Sequence, residues 1–343
     1  MSALKGTEEK MIKKIILFPF WLLHRIIVWG RNYLFDKGFI RIDKVESKVV
    51  SIGNISFGGT GKTPLVIHLA RILTEQDYKV AILLRGYRGT ASTRDPFIVS
   101  DGRTIFSPVK ECGDEAIVIA ESVKVPVIIG KKRILSARLA MEKFKSDFIL
   151  LDDGFQHRGI HRDVDIVLIT PLDNMELFPC GNLREPLSSL RRASMVCVTK
   201  GNLEDINTEV KKNIDTLDTY QIDYYISSWK SGNRILGAEE IYGEKVIIAS
   251  GIGKFDFFIA QVAAMGAIVL QCISYPDHYA FTEKDISKLQ QIAQKKGAGR
   301  IVITEKDEVK LRAIKHLDER YWIAVLSVAI EREGDFLNNI RKT

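Results

Sequence analysis

Short apolar runs alternate with helix-length amphipathic segments along most of this chain. The apolar runs predict buried strands at 49–52, 79–84, 125–129, 147–152, 164–169 and 195–199. Apolar residues recur at helical spacing in segments 65–76, 114–123 and 132–144. This alternation predicts an α/β fold with a doubly wound, Rossmann-like parallel sheet.

A second series of apolar runs follows a change in composition. Residues 219–232 are polar and aromatic, and we interpret them as a crossover between domains. Further strands are predicted near 245–250, 267–273, 300–304 and 321–328. We therefore predict three parts: an N-terminal segment (1–48), a main α/β domain (49–220) and a smaller α/β domain (221–343) that closes a cleft.

The first apolar run leads into a glycine-rich loop, and a helical pattern follows. The loop residues are Ser56, Phe57, Gly58, Gly59, Thr60, Gly61, Lys62 and Thr63. They fit the phosphate-loop pattern G-x-x-x-x-G-K-[ST], with Ser56 in place of the first glycine. In such a loop the backbone N–H groups surround phosphate oxygens, the lysine reaches the β and γ phosphates, and the hydroxyl binds Mg²⁺. The sequence therefore predicts binding of ATP with Mg²⁺.

The segment before this domain is apolar and basic. Its apolar run, residues 13–29, is interrupted by Pro19, His24 and Arg25, so we do not expect it to span a membrane. Trp21 and Trp29 among aliphatic residues are typical of a helix that lies at a membrane surface. A helix packed on the body of the protein explains the same pattern equally well.

Composition narrows the class of partner. The chain has 343 residues with a net charge of +7, and residues 1–48 carry ten Lys and Arg against five Asp and Glu. A basic excess at one end favours an anionic partner, either a membrane surface or a nucleic acid. The four cysteines are far apart, which predicts neither a disulfide framework nor a zinc site and fits a reduced cytosol.

Two pairs of carboxylates are candidates for chemistry at the phosphates. Asp152 and Asp153 end an apolar strand, where kinases hold magnesium, although a solvated turn is the alternative. Asp114 and Glu115 open a predicted helix. Asp114 is either a helix cap or the base that accepts the proton of the acceptor hydroxyl, and Glu115 could reach the metal.

Further polar groups follow other predicted strands. Arg184 suits a bidentate contact to a phosphate or sugar, and Glu185 suits a metal or hydroxyl contact. The arginines of the R-G-Y-R tract (85–88), Asp277 with His278, and the T-E-K-D tract (304–307) are weaker candidates. A salt-bridged loop explains the arginine-bearing tracts equally well.

In combination these motifs resemble the tetraacyldisaccharide 4'-kinase family of lipid A biosynthesis. The motifs are G-G-T-G-K-T-P, R-G-Y, G-D-E, D-D-G-F-Q-H, G-N-L-R-E-P, P-D-H-Y and T-E-K-D, in this order over residues 12–310. The resemblance implies transfer of the γ-phosphoryl group of ATP to the 4'-hydroxyl of a lipid A disaccharide 1-phosphate. It also implies a peripheral protein at the cytoplasmic face of the inner membrane. Separately, we expect the protein to be a monomer. Tyr275 stands where the family more often has Phe, and residues 199–242 carry no motif of the family.

The resemblance also assigns roles to residues. It makes Lys62 and Thr63 phosphate and metal ligands, Asp114 the general base, and His278 its partner from the second domain. Residues close to the metal would be Glu115, Asp152, Asp153 and Glu185, and Arg184 would contact the acceptor. We expect Asp114 and His278 to act together when the cleft closes.

Two other functions fit parts of the sequence. A membrane-associated phosphate-loop NTPase switch would use N-K-x-D to select guanine, but the nearest tract, residues 199–202, lacks the aspartate. A nucleic-acid binder would explain the basic charge. That charge accompanies apolar residues that a nucleic acid does not require, so we predict no nucleic-acid partner.

Overall fold

The computed structural model describes residues 2–86, 96–171, 175–277 and 279–342, with side chains described from residue 16 onward. The helices are α1 (Ser2–Asp36), α2 (Lys62–Glu75), α3 (Val109–Cys112), α4 (Asp114–Ser122), α5 (Arg133–Phe144), α6 (Thr208–Ile214), α7 (Phe255–Ala264), α8 (Glu283–Lys296), α9 (Glu305–Arg312) and α10 (Glu333–Lys342). Short 3₁₀ helices lie at Leu187–Arg192, Leu203–Asp205 and Ala238–Ile241.

The strands are β1 (Lys48–Asn54), β2 (Val80–Leu84), β3 (Phe97–Asp101), β4 (Pro126–Ile129), β5 (Phe148–Asp152), β6 (Val164–Ile169), β7 (Met195–Thr199), β8 (Asp218–Ser231), β9 (Arg234–Gly237), β10 (Lys245–Ser250), β11 (Ile268–Ser274), β12 (Arg300–Thr304) and β13 (Tyr321–Ile330). The predicted strands and helices are present, and the predicted α/β fold with its phosphate loop and parallel strands is confirmed.

The segment interpreted as a crossover between domains (219–232) forms a strand, and its role as a crossover stays a prediction. Residues 218–231 form strand β8, in which Tyr220, Ile222, Tyr224 and Ile226 are buried at alternating positions. This period of two is that of a strand with one side packed on a core. The intervening polar residues had concealed the pattern in the sequence.

The chain folds into two compact units that are discontinuous in sequence. The first contains Met1–Lys62, Asp153–Ile222 and Ile330–Thr343, and the second contains Thr63–Asp152 and Asp223–Ala329. Each unit contains residues from more than one of the predicted parts 1–48, 49–220 and 221–343. The boundaries of those parts stay a prediction.

The first unit is built on parallel strands. β1 pairs with β6, β6 with β7, and β7 with the first residues of β8. Beside them, a buried cluster gathers apolar side chains from β6 and β7 and from the segments that follow β1, β5, β6 and β7, with Phe155 at 0% exposure. Since a parallel sheet is covered on both faces, β1 is buried at six of its seven positions. This buried strand delivers the chain to the glycine-rich loop.

The second unit contains two groups of strands. β5, β2 and β4 are parallel, and β3 pairs antiparallel with β4. In the other group, β10 pairs in parallel with β11 and β12, β12 pairs in parallel with β13, and β9 pairs antiparallel with β8. Separate apolar clusters on this second group contain the buried residues Trp229 and Tyr321.

Helix α1 packs on the first unit along one stripe. Its less exposed residues (17, 21, 24, 28, 30, 31, 32 and 35) follow one another mostly at spacings of three and four, and Trp21 contacts the buried cluster. Large apolar side chains on the remaining surface are exposed: Ile16, Phe18, Phe20, Leu22, Leu23, Ile26, Ile27, Trp29, Tyr33 and Leu34. Within the described part of the chain, no helix is both long and apolar enough to cross a bilayer.

The close approach of β1 to Phe155 gives a prediction for stability. A Cβ added at Gly53 would lie 2.4 Å from the Phe155 Cβ and 2.8 Å from its backbone nitrogen. Because backbone atoms cannot move aside cheaply, we expect Gly53→Ala to lower the free energy of unfolding by about 1–3 kcal/mol. The measurement is denaturant unfolding. Gly30→Ala in α1 is the control, because no atom lies within 4 Å of its added Cβ. Equal stability of both variants and the parent protein would contradict the packing described.

Candidate active site

The glycine-rich loop connects the end of β1 to the start of α2. Gly58 and Gly61 have φ values of +112° and +93°, which residues with a Cβ rarely adopt. A Cβ at Gly58 or Gly59 would meet no atom within 4 Å, so open space adjoins the backbone there. Pro64 lies in the first turn of α2, where its missing N–H costs no hydrogen bond. These features fit a loop whose backbone accommodates phosphate oxygens.

Lys62 is held at the end of this loop by two oxygens of the first unit. Its Nζ donates to Asn54 Oδ1 at 3.1 Å and lies 3.3 Å from Asp153 Oδ1. The side chain is 13% exposed, so the ammonium group is close to the surface but largely covered. Asn54 was not predicted from the sequence, although it is the last residue of the strand that precedes the loop.

Asp153 links Lys62 to Arg184. Arg184 Nη1 donates to both carboxylate oxygens of Asp153, at 3.0 and 2.9 Å. Desolvation acts to raise the pKa of Asp153, but Lys62 and Arg184 outweigh it and hold that pKa below the ordinary carboxyl value. Asp153 has a φ of +54°, in the left-handed region that Asp tolerates better than most residues. The turn after β5 therefore directs this carboxylate towards two cations.

Two other segments hold the loop in place. Phe57 N donates to Asn182 O at 2.7 Å, and Arg184 N donates to Ile55 O at 2.6 Å. From the end of β7, the Thr199 hydroxyl donates to Thr60 O at 3.1 Å. Lys200, the residue after that strand, donates from Nζ to Gly59 O at 2.6 Å. The sequence does not predict these contacts of Thr199 and Lys200, because the tract carries no motif beyond an incomplete pattern for guanine selection.

Glu185 lies in a buried cluster of charges next to α1. It is 1% exposed, accepts from Arg192 at 2.8 Å and accepts from Asn32 of α1 at 3.1 Å. Burial acts to raise the pKa of Glu185, but Arg192, Asn32 and Arg31 together lower it. An apolar cavity of about 790 Å³ adjoins this cluster, between α1 and residues 175–192, and includes Trp21, Trp29 and Leu187 in its lining.

In the second unit, Thr63 at the start of α2 contacts Asp152 at the end of β5. The Thr63 hydroxyl donates to Asp152 Oδ2 at 3.0 Å, and Asp152 is 4% exposed. A hydroxyl and a carboxylate oxygen are ligands that suit Mg²⁺, which also retains waters and binds phosphates. No group of three or more His, Cys, Asp or Glu side chains in the described part of the chain forms a metal site. The residues present therefore fit a metal held partly by a nucleotide.

Asp114 and Glu115 face two lysines of α9. The cap of α4 is Gly113, so Asp114 is the first helical residue and not the cap residue. Lys310 Nζ lies 3.8 Å from Asp114 Oδ2, and Lys306 Nζ lies 3.3 Å from Glu115 Oε1. Burial acts to lower the pKa of Lys306, but Glu115, Asp114 and Asp277 raise it above the ordinary value.

The predicted site residues thus form several groups. Lys62, Asp153 and Arg184 lie together in the first unit, and Glu185 lies in its own cluster there. Thr63 lies with Asp152, while Asp114 and Glu115 face α9. His278, Tyr87 and Arg88 are outside the described residues. The metal role of Glu115, Asp152, Asp153 and Glu185 stays a prediction.

Sequence comparison identifies relatives over almost the whole chain. The profile described as "Tetraacyldisaccharide-1-P 4'-kinase" matches residues 13–343. A relative from Halothermothrix orenii named tetraacyldisaccharide 4'-kinase is 33% identical over 97% of this chain and 94% of its own. A relative of the same name from Syntrophus aciditrophicus is 36% identical over 88% of this chain and 86% of its own.

Structure comparison agrees with the sequence comparison. A crystal structure of LpxK from Aquifex aeolicus in complex with ATP matches with a TM-score of 0.78 and 31% identity. The match covers 96% of this chain and 98% of the Aquifex chain. The similarity therefore extends over both compact units and not over the phosphate loop alone.

The contrast between the two aspartates gives a prediction about the metal. Asp152 contacts the Thr63 hydroxyl, whereas Asp153 is occupied by Lys62 and Arg184. We therefore expect Asp152→Asn to raise the Mg²⁺ concentration required for ATP binding about tenfold or more, with a smaller change for Asp153→Asn. The measurement is calorimetric titration with ATP at several Mg²⁺ concentrations. The reverse order of the two variants would contradict the assignment.

Proposed function

The chain belongs to the tetraacyldisaccharide-1-P 4'-kinase family, and from this membership we propose that it transfers the γ-phosphoryl group of ATP to the 4'-hydroxyl of a tetraacyldisaccharide 1-phosphate. The product would be the 4'-phosphorylated form of this lipid A precursor. The observation that carries the proposal is the family match over residues 13–343, which includes a phosphate loop with Lys62 at its end. The NTPase switch is not favoured, because the relatives named above are kinases.

Lys62 is the residue that we assign to the transferred group. In-line phosphoryl transfer places negative charge on the attacking, leaving and equatorial oxygens, and positioned cations stabilise that charge. Asn54 and Asp153 hold the ammonium group at the end of the loop. Arg184 shares Asp153 and adds a second cation beside it. This arrangement supports charge stabilisation with little reorganisation of side chains.

Thr63 and Asp152 are the residues that would hold Mg²⁺. When bound, this ion would neutralise phosphate charge and orient the transferred group. The hydrogen bond between the two side chains keeps their oxygens on the same side of the start of α2. Asp153 and Glu115 stay candidates for contacts close to the metal. Glu185, which is buried against Arg192, is better suited to organising the acceptor region.

Asp114 is the residue that we assign as general base. Acceptance of the proton from the 4'-hydroxyl requires a carboxylate that is ionised and held in a fixed orientation. The carboxylate of Asp114 accepts a hydrogen bond from Glu115 N at 3.0 Å and faces Lys310. His278 is proposed as its partner from the sequence motif alone.

The apolar cavity beside α1 is a suitable place for acyl chains of the acceptor. It is lined by aromatic and aliphatic side chains of α1 and of residues 175–187, with Arg192 at its wall. Burial of apolar chain against these residues would contribute about 0.8 kcal/mol per CH₂ group. The exposed apolar surface of α1 supports a further proposal, namely that the protein binds peripherally to a membrane surface. The resemblance to the family is the ground for proposing the cytoplasmic face of the inner membrane as that surface, and the monomeric state is an expectation from the sequence alone.

The phosphate-loop assignment predicts the effect of removing the lysine. Lys62→Ala removes the ammonium group that Asn54 and Asp153 hold, and we expect it to lower phosphoryl transfer more than tenfold, about 1.4 kcal/mol of barrier. The measurement is transfer of radiolabelled phosphate from ATP to lipid A disaccharide 1-phosphate, with circular dichroism to confirm folding. Lys288→Met, at an exposed lysine of α8, is the control and should keep full activity. A folded Lys62→Ala protein with more than a tenth of the parent activity would refute the assignment.

The exposed face of α1 predicts the effect of charge on membrane binding. Phe20→Asp and Ile27→Asp place charge at positions that are 63% and 58% exposed, so neither removes a contact with the core. We expect the double variant to lose binding to anionic liposomes in a flotation assay while it retains ATP binding. Ile235→Asp is the matched control, at a residue of β9 that is 66% exposed. Equal flotation of the parent protein, the double variant and the Ile235→Asp control would show that this face of α1 does not bind membranes.

A further inference from the structure

A buried ion cluster of the second unit connects Asp114 to the end of α9. Lys310 Nζ lies 3.8 Å from Asp114 Oδ2 and 3.5 Å from Asp307 Oδ1. The side chains of Asp114, Lys310 and Asp307 are 9%, 12% and 0% exposed. Burial of charged groups at this level is costly unless opposite charges and hydrogen bonds compensate for lost hydration. Lys310 supplies the positive charge between the two carboxylates.

Asp307 is fixed by groups at the ends of two strands. It accepts from the Ser250 hydroxyl at 2.5 Å, from the Thr304 hydroxyl at 2.6 Å and from Gly251 N at 3.2 Å. These donors occupy both oxygens of the carboxylate, so Asp307 has little freedom to rotate. The ammonium group of Lys310 also lies 5.3 Å from the centroid of the Phe281 ring. Lys310 is therefore held against a rigid acidic support.

Asp114 has different partners on its two oxygens. Its Oδ1 accepts from Glu115 N at 3.0 Å, whereas its Oδ2 faces Lys310. One helical turn before Lys310, Lys306 faces Glu115 in the same way. The two lysines of α9 thus face the two consecutive carboxylates at the start of α4. The backbone N–H therefore holds one oxygen of Asp114 by a hydrogen bond, and the ammonium group attracts the other oxygen at ion-pair distance.

We propose that Lys310, supported by Asp307, is a positioning residue that holds the Asp114 carboxylate in the orientation required for catalysis. The inference rests on the proposed function, in which Asp114 accepts the proton of the acceptor hydroxyl. Proton transfer depends on the direction of the accepting oxygen, and a misplacement of about 1 Å can cost on the order of 100-fold in rate. Lys310 would act on the reaction through Asp114, the carboxylate that it faces.

The test removes the charge of Lys310 and measures turnover in two backgrounds. Lys310→Met keeps the length of the side chain and removes the ammonium group. We expect kcat to fall about 10- to 100-fold with an unchanged KM for ATP. Lys310→Arg restores a cation between the two carboxylates and should recover part of the rate. Lys288→Met, the exposed control in α8, should leave kcat unchanged.

The second background separates positioning from a structural role. In Asp114→Asn, which we expect to lose at least ~100-fold in kcat, there is no carboxylate left to position. Lys310→Met should then cost less than about threefold more, whereas a general structural effect would lower the rate by the same factor in both backgrounds. Thermal unfolding shows whether each variant is folded. If Lys310→Met does not fold, kcat is measured instead for Lys310→Gln, which keeps hydrogen-bond donors, in the same two backgrounds.

The possible outcomes are distinct. A folded Lys310→Met protein with parental kcat, or with an equal loss in both backgrounds, overturns the positioning role while the proposed function stands. Parent protein that transfers no phosphate overturns the proposed function and, with it, the base that Lys310 would position. The inference is supported if Lys310→Met lowers kcat in the protein that retains Asp114 but not in Asp114→Asn, and if Lys310→Arg recovers part of the rate.

Discussion

The ammonium group of Lys62 is the point on which the rest of the site depends. It is held by Asn54 at the end of β1 and by Asp153 after β5, and Arg184 shares the second of these acids. Buried strands place both of these residues, since Asn54 ends β1 and Asp153 follows β5. Gly53 lets β1 pass directly against Phe155. The apolar packing of the first unit therefore sets the place of this positive charge. Contacts from Thr199 and Lys200 to loop carbonyls hold the backbone in the same way.

Periodicity in the sequence was sufficient for most of the secondary structure. Buried parallel strands such as β1 and β6 are nearly continuous apolar runs, so their positions could be predicted directly. Strand β8 could not, because its buried aromatic residues alternate with polar ones in a segment that resembles a linker. The two compact units take up segments distant in sequence, which local patterns do not reveal, although one division, between Ile222 and Asp223, falls in the polar and aromatic segment 219–232.

The sequence predicted which residues belong to the candidate site but not which of their side chains contact each other. The G-K-T and D-D-G motifs identify Lys62 and Asp153 as candidates, because each motif is defined by local sequence. Arg192 and Asn32, which hold Glu185, come from a 3₁₀ helix and from α1, and 153 residues separate Asn32 from its partner. Lys310 carried only a weak signal, its position one turn after Asp307 on the acidic start of α9. Tertiary structure alone shows which charges compensate each other.

The most direct test of the account follows the phosphate itself. Parent protein is incubated with ATP labelled at the γ phosphate, Mg²⁺ and lipid A disaccharide 1-phosphate, and the label is measured both in the glycolipid and as inorganic phosphate. If the protein is this kinase, the label enters the glycolipid at the 4' position, as located by mass spectrometry, and little is released without acceptor. Label that appears only as inorganic phosphate, at a rate independent of the glycolipid, would contradict the kinase and would instead indicate an NTPase.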